Sequence, residues 1–419
     1  MTGAAHHADR VTVAFRTLGC KVNRVESESI AADLLGTGAV VVEEDEAAVI
    51  VVNTCTVTAE ADAKARKAVR HALRQDGAPV VVVTGCLAAL DAEALRALGE
   101  RVVVEADKEQ VASRVRELLG LHAGSDTHPS ARAGEGFRTR AILKIEDGCD
   151  NFCTYCIVPY ARGVPRGVVL ASAVAEAEGL VAAGKCEIVL TGINIGRYRD
   201  PATGADLAEL IGAIAGTGIE RLRLSSIEPP DLTDRLLRVL GSTRAACEHL
   251  HVPLQSGCDA VLSAMGRTYT AEEYASRIAA ARAAVPGLAV TTDLIAGFPG
   301  ESCEHHEITL AFVEAMGFSK VHVFRYSARP GTPAASMEQI APQLRATRAS
   351  QLRELSEELH KRYVEGRTGS TAEVLVETVS PGRATGTTRD YLRLQLDIEN
   401  AVRGSTVQCP IAAGCVLAI

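Results

Sequence analysis

Cys149, Cys153 and Cys156 stand within eight residues of one another in the stretch Gly148 to Gly163, GCDNFCTYCIVPYARG. Spaced by three residues and then by two, these thiols converge on one small object only if the backbone wraps around it as a loop. Thiolates are soft ligands that suit zinc or iron–sulfur clusters, and a structural zinc site closes its tetrahedron with a fourth Cys or His. No His lies inside the loop, the nearest being His128 and His249. Three cysteines on a cluster of four irons leave one iron open, and this count points to an iron–sulfur cluster. A zinc loop or three unrelated buried thiols are the alternatives. Phe152 and Tyr155 would screen such a cluster from water and tune its potential.

A second trio is spread along the first third of the chain: Cys20 in TLGCKVN, Cys55 in NTCTVT and Cys86 in TGCLA. Each follows a β-branched run of strand length, and each has a turn former or small residue before it: Gly19, Thr54 and Gly85. In an open parallel α/β sheet the carboxyl ends of the strands share one edge, where ligands bind. A second cluster with one open iron is therefore expected, against the alternative of three buried structural thiols.

The elements that must position these residues are legible in the pattern. Val11 to Phe15, Val49 to Val52, Val80 to Thr84 and Val102 to Val104 read as strands. Glu26 to Leu35, Ala61 to Leu73, Ala92 to Leu98 and Gln110 to Leu119 have helical composition and periodicity between them. That alternation predicts a small parallel, Rossmann-like α/β domain over residues 9–121. Residues 122–137 are rich in Gly, Ser, His, Pro and Ala without apolar periodicity and read as a linker.

A second domain, 138–366, opens with a strand at Ala141 to Ile145 that feeds into the three-cysteine loop. Further strands are expected at Glu187 to Thr191, Arg221 to Ser225, His249 to Val252, Ala289 to Ile295 and Lys320 to Phe324. Helices are expected at Ala171 to Ala183, Leu207 to Ala215, Leu232 to Leu240, Ala271 to Ala284 and Glu304 to Met316. Six strands with intervening helices predict a partial (β/α)6 barrel whose chemistry sits at the carboxyl ends of the strands. Gln343 to Tyr363 is a charged helix with Leu352, Leu355, Leu359 and Tyr363 at helical spacing, able to pack back on the barrel. From residue 367 onward, short β runs separated by Gly, Pro and Asn predict a small β-barrel over 367–419.

Composition bounds the rest. With 419 residues, 47% hydrophobic and 23% charged, the chain has ample apolar content for several cores and is neither disordered nor fibrous. No run of ~18 apolar residues exists to span a bilayer, and MTGAAHHADR lacks the basic-then-apolar order of a signal peptide. A cytoplasmic protein with no membrane partner is expected, its 12 cysteines reduced and free for metals. The net charge of −8 runs against a nucleic-acid partner. A local exception is the predicted helix AKARKAVRHALR, which carries Lys64, Arg66, Lys67, Arg70 and Arg74, and reads either as a phosphate-facing patch or as an ordinary solvated face.

The C-x3-C-x2-C loop resembles the signature of the radical S-adenosylmethionine (SAM) enzymes, in which SAM chelates the open iron and is cleaved to a 5′-deoxyadenosyl radical. The resemblance implies a SAM pocket at the barrel mouth. Asn194 in TGIN, Ser226 in SSIEP and Gln255 in PLQSG would donate to a carboxylate or ribose hydroxyl. Gly192 and Gly297 would allow close backbone contact, and Tyr155 joins them from the loop. Taken singly, each is as readily turn chemistry.

TLGCKVN, NTCTVT, TGC, the cysteine loop, LTGIN, HVPLQSG and a terminal β module together are similar to the methylthiotransferase family of radical SAM enzymes, from Val11 to Ile419. Lys-Val-Asn after Cys20, NTCTVT and HLHVPLQSG most resemble the branch acting on threonylcarbamoyladenosine at position 37 of tRNA. Branches acting on isopentenyladenosine or on an aspartate of a ribosomal protein look less similar. The resemblance implies two 4Fe-4S clusters, an auxiliary one on Cys20, Cys55 and Cys86 and a SAM-binding one on Cys149, Cys153 and Cys156, with SAM as second cofactor. It also implies transfer of a methylthio group to carbon 2 of adenine by a monomeric enzyme. A C-terminal TRAM domain, an OB-like β-barrel, would bind the tRNA anticodon loop, and a low-potential donor such as flavodoxin or ferredoxin would supply electrons. The final module holds four Arg and five acidic residues between Thr368 and Ile419, so it is not evidently basic, and Arg389 and Arg393 are the expected RNA contacts. No residue is singled out as catalytic. Cys186, Cys247, Cys258, Cys303, Cys409 and Cys415 form no convergent trio and are expected to be ordinary small side chains.

Overall fold

A computed structural model describes residues 11–121, 139–412 and 414–417. The expected linker at 122–137 and the first ten residues lie outside the described residues. The chain forms two compact units, and the short segment Ile157–Gly163, which the sequence places in the barrel, packs with the first.

In the first unit the order is β1 (Thr12–Thr17), α1 (Lys21–Gly36), β2 (Val40–Val41), β3 (Val49–Thr54), α2 (Ala59–Ala72), β4 (Val80–Gly85), α3 (Cys86–Leu90), α4 (Ala92–Arg96), β5 (Val102–Val104) and α5 (Val111–Leu118), joined by α6 (Val158–Arg162). The five strands are all parallel in the order β2-β1-β3-β4-β5. Both faces of the sheet are covered, which is why β3 and β4 read as continuous Val and Ile runs rather than alternating ones. Ile50 and Val52 pack with Ala65, Val69 and Leu87 on one face, while Val49 and Val51 pack with Ile30, Leu34, Val111 and Val115 on the other. Thr58 starts α2 by accepting the Ala61 N–H, a cap worth about 1 kcal/mol. The sequence misses β2 and α3: a two-residue strand carries no measurable periodicity, and α3 follows β4 with no intervening residue to mark its start.

The second unit begins with β6 (Ala141–Lys144), β7 (Glu146–Asp147), β8 (Arg166–Gly167), α7 (Leu170–Ala182), β9 (Glu187–Thr191), α8 (Leu207–Ala215), β10 (Arg221–Leu224) and α9 (Asp234–Ser242). It continues through β11 (His249–His251), α10 (Asp259–Ala264), α11 (Ala271–Ala284), β12 (Ala289–Ala296), α12 (Cys303–Met316) and β13 (Lys320–Arg325). Strands β6, β9 and β10 form one parallel sheet and β11, β12 and β13 another. Parallel bridges Leu222–Ala246 and Ser226–His251 carry the first sheet into the second. The six strands therefore run as one curved parallel wall, the partial (β/α)6 barrel expected from the sequence. Capping boxes at Asp206 and Glu209, and at Thr270 and Glu273, fix the starts of α8 and α11.

Helix α13 (Pro342–Arg367) follows, with Pro342 in its first turn. Its stripe is divided: Leu352 and Leu359 are buried in the barrel core, whereas Tyr363 packs in the core of the terminal module. That module is an antiparallel sheet of β14 (Thr371–Ser380), β15 (Arg383–Thr388), β16 (Arg393–Leu396) and β17 (Thr406–Pro410), in the order β16-β15-β14-β17. A shift of register between Val376 and Thr378 bends β14.

The module seats on the starting ends of the barrel strands. Glu187, Arg221 and Arg223 are fully buried there, and the two guanidiniums donate to the backbone carbonyls of Thr387, Thr388 and Arg389. His249 stacks on Tyr391 with ring centroids 4.5 Å apart. This docking corrects one expectation. Arg389 is not an open RNA contact, because its Nε donates to Glu248 at 2.8 Å and its Nη2 to the carbonyls of Arg244 and Ala246 at 2.9 and 2.6 Å. Arg393 is exposed.

Candidate functional site

In the first unit, β1, β3 and β4 end on one edge of the sheet, and that edge carries the sulfurs. Cys20 caps α1 three residues after β1, Cys55 directly follows β3, and Cys86 opens α3 directly after β4. Cys20 is exposed, Cys55 half-buried and Cys86 buried. The three thiols lie close enough to act on one another's ionisation: burial chiefly raises Cys55 and Cys86 above the ordinary thiol value, and the neighbouring sulfurs add to it.

The glycines in front of the cysteines have a local cause. Gly19 has φ +98°, and a Cβ there would lie 2.7 Å from the Cys55 Cβ. Gly85 has φ +91°, and its Cβ would strike the carbonyl oxygen of Thr54. Ligand loops packed shoulder to shoulder, more than room for an inorganic group, make these positions glycine.

Residues the sequence reading passed over hold the edge together. Asn23 Nδ2 donates to the carbonyls of Leu18 and Thr54, both at 2.9 Å, tying the loop after β1 to the end of β3. Asn53 Nδ2 in turn donates to the Asn23 carbonyl at 2.8 Å. Arg162, from α6, donates from Nε to Cys86 Sγ at 3.2 Å, from Nη1 to Glu26 at 2.9 Å and from Nη2 to Asn23 Oδ1 at 2.6 Å. Lys108 reaches the same Glu26 oxygen at 2.7 Å. Asn23 was within reach of sequence reasoning through the KVN after Cys20. Arg162 was visible only as part of YARG beside the other cysteine loop.

The second site lies in the second unit, where the cysteine loop leaves β7. Gly148 and Phe152 take positive φ, +97° and +44°, as the chain turns. Thr154 pins the loop, its N–H donating to the Met265 carbonyl at 2.9 Å and its hydroxyl to the Ala264 carbonyl at 2.8 Å. Arg267 donates from Nη1 to Cys153 Sγ at 3.2 Å, from Nε to the Tyr269 hydroxyl at 3.0 Å, and from Nη2 to the Glu228 carboxylate. Burial pushes the Cys149 thiol up to about 11, so a cation beside it would be needed to draw its proton off at neutral pH. Among the described residues no three Cys, His or acidic side chains close on a single ion.

Beside this loop the barrel strand ends present unsatisfied polar atoms. Asn194, 3% exposed, has no partner for either Nδ2 or Oδ1 among the described residues, and neither Ser225 Oγ nor Glu146 Oε1 has one. Glu146 is fully buried at the end of the first barrel strand. Its Oε2 accepts the N–H groups of Ile193 and Asn194 at 2.9 and 2.8 Å, yet burial outweighs them and lifts the carboxyl to about 7. Orphaned buried amide, hydroxyl and carboxylate atoms suit a ligand rich in amino, carboxylate and ribose groups, so the residues present fit SAM.

The six expected SAM contacts fare differently. Asn194 keeps both side-chain amide atoms without a partner among the described residues. Ser226 pairs with His251 through a backbone bridge, and the buried hydroxyl without a partner among the described residues belongs to its neighbour Ser225. Gly192 makes room for Glu146, whose Oε2 would lie 2.7 Å from an added Cβ. Gly297 lies under Arg345 and donates its N–H to Glu301 at 2.8 Å. Gln255 holds φ +69° between Asp293 and Ile295, to which its N–H and carbonyl bond. Tyr155 packs edge-on against Phe298 with centroids 6.4 Å apart.

Comparison with known proteins places these features. Residues 12–105 match the uncharacterized protein family UPF0004, and residues 143–313 match the radical SAM superfamily. The chain is 40% identical over 404 residues to the threonylcarbamoyladenosine tRNA methylthiotransferase MtaB of Bacillus subtilis, covering 91% of this chain and 90% of that one. It is 36% identical over 315 residues to a tRNA-2-methylthio-N(6)-dimethylallyladenosine synthase of Desulfitobacterium hafniense, covering 74% and 69%. The fold resembles the radical SAM methyltransferase TsrM of Kitasatospora setae, solved with cobalamin and a 4Fe-4S cluster, at a TM-score of 0.58 and 16% identity over 78% and 77% of the chains.

Proposed function

Because the chain belongs to the methylthiotransferase family of radical SAM enzymes, we propose that it transfers a methylthio group to carbon 2 of threonylcarbamoyladenosine at position 37 of tRNA. The observation that carries this reading is the pair of sulfur trios, one at the edge of a parallel sheet and one in the loop that opens a radical SAM barrel. When bound, the two 4Fe-4S clusters and SAM supply the electron, the radical and the transferable sulfur.

This chain's own residues hold and shield those groups. Cys20, Cys55 and Cys86 take one cluster, and Cys149, Cys153 and Cys156 the other. Asn194 and Ser225 satisfy polar groups of SAM with their unpartnered atoms, and Glu146 orders the Ile193 and Asn194 backbone beneath it. Arg267 neutralises charge at Cys153 and, through Glu228 and Tyr269, fixes the loop against the barrel. The carbon 2 hydrogen of adenine is neither acidic nor electrophilic, so a radical route suits it where acid–base chemistry has no purchase. A base in an anticodon loop is already unpaired or readily splayed out.

No helix among the described residues is long and apolar enough to cross a membrane, and a tRNA substrate agrees with a cytoplasmic enzyme. A monomer served by a low-potential donor such as flavodoxin or ferredoxin completes the reading. Mass spectrometry of tRNA nucleosides from cells lacking the protein tests it. The methylthio form of threonylcarbamoyladenosine should vanish and its unmodified parent accumulate. Loss of methylthio-isopentenyladenosine instead, or no change, would overturn the assignment.

A further inference from the structure

Arg162 is the feature of the first unit that neither sheet topology nor cysteine spacing requires. Its side chain is 1% exposed, and Glu26, which it meets, is 7% exposed. Moving a guanidinium out of water is costly unless charge and hydrogen bonds are waiting for it. All three faces of this one are used: Nε on the sulfur of Cys86, Nη1 on Glu26 and Nη2 on Asn23. Asn23 is also the residue that receives the Cys20 thiol at 3.5 Å and ties the loop after β1 to β3. Glu26 divides its charge between Arg162 and Lys108.

We infer that Arg162 is a positioning residue of the Cys20, Cys55 and Cys86 cluster, setting its reduction potential through the charged hydrogen bond to Cys86 and the balance with Glu26. The inference rests on the proposed function only in taking that trio as cluster ligands. A donor on a ligating sulfur, and positive charge beside it, stabilise the reduced, more negative state of an iron–sulfur centre and so raise its potential. Glu26 works the other way, because its carboxylate offsets part of that charge. The two side chains therefore act with opposite signs on one sulfur.

Opposite signs give a test that a merely structural role would not pass. In a background of Cys149→Ala, Cys153→Ala and Cys156→Ala, which leaves only this cluster, reductive titrations followed by electron paramagnetic resonance read its midpoint directly. Arg162→Gln should move the midpoint negative. At the potential where the background protein is half reduced, its reduced-to-oxidised ratio should fall about tenfold, which for one electron is about 59 mV. Arg162→Lys, keeping the charge, should recover part of the shift, and Glu26→Gln should move the midpoint positive. If Arg162→Gln loses its iron, the Lys and Glu26 variants decide by the same signs. Unmoved midpoints at full iron content, or Arg162→Gln and Glu26→Gln shifting in the same direction, would overturn the role of Arg162. A background protein that binds no iron would instead overturn the cluster assignment itself, and this inference with it.

Discussion

Arg221 Nε donates to Glu187 Oε2 at 2.7 Å, and neither side chain has any exposed surface. Arg223 takes the other oxygen of the same carboxylate at 2.8 Å. Burial alone would raise Glu187, but Arg223 and Arg221 outweigh it and hold the carboxyl at about 2. The trio pins the terminal module to the barrel, since both arginines also donate to carbonyls of β15 and the residue after it, and Arg221 Nη1 reaches the carbonyl and carboxylate of Glu373 in β14.

Glu187→Gln should destabilise the second unit by about 3 kcal/mol, because it removes the carboxylate that two buried guanidiniums share and leaves Arg221 only the longer pairing with Glu373 at 3.3 Å. The pH dependence has a definite sign. A depressed carboxyl contributes fully above its unfolded value near 4.5 and loses that contribution as pH falls toward 2. Urea unfolding at pH 7 and pH 4 should show wild type losing stability on acidification and the Gln variant losing less. Equal pH dependence in the two would refute the pairing.

Glu146 should behave in the reverse sense. Its carboxyl sits at about 7 in the folded protein, above the ordinary 4.5, so the unfolded chain ionises first. Stability is therefore unaffected below about pH 4.5, declines as pH rises to about 7, and the deficit, on the order of 1–3 kcal/mol, persists above. Glu146→Gln keeps an acceptor for Ile193 and Asn194 and should remove the decline in SAM-free protein. The check is denaturant unfolding at pH 5 and pH 7.5 in both proteins.

The two clusters should separate by mutation. Cys149→Ala with Cys153→Ala and Cys156→Ala should abolish SAM cleavage and halve the iron of anaerobically reconstituted protein, from about eight to about four per chain. Replacing Cys186, Cys247, Cys258, Cys303, Cys409 and Cys415 with Ala should leave iron unchanged. Iron and sulfide assays on the two multiple variants decide both statements, and a cluster missing from the second would reassign its ligands.

Attraction for tRNA should come from α2 more than from the terminal module. Lys64, Lys67 and Arg70 are exposed on one helix, although Lys64 also meets Glu60 at 2.8 Å and the half-buried Arg66 meets Asp91 at 2.7 Å. Lys67→Gln with Arg70→Gln should weaken tRNA binding and flatten its salt dependence by about one unit of slope for each phosphate no longer neutralised. Titrations at several salt concentrations measure this. Truncation after Gly369 is the poorer experiment, since it strips Arg221 and Arg223 of their carbonyl partners. Arg393→Ala is the milder probe of the module.

The sequence by itself determined the longer strands and helices, their parallel α/β alternation and the two sulfur trios. Val and Ile runs, helical spacing and C-x3-C-x2-C are local patterns, and the right-handed crossover of successive β and α elements leaves few ways to assemble them. It also singled out the strand ends and Asn194 among them, whose buried amide has no partner among the described residues. Only the tertiary structure decided which polar side chains are partnered. Arg162 meets Cys86 across 76 positions and Arg389 meets Glu248 across 141, and no periodicity connects such pairs. A charged residue looks the same in sequence whether it faces water, RNA or a buried carboxylate. The difference arises when the fold removes water and sets an opposite charge before it, and that is why Arg389 was expected to meet RNA and instead locks the module to the barrel.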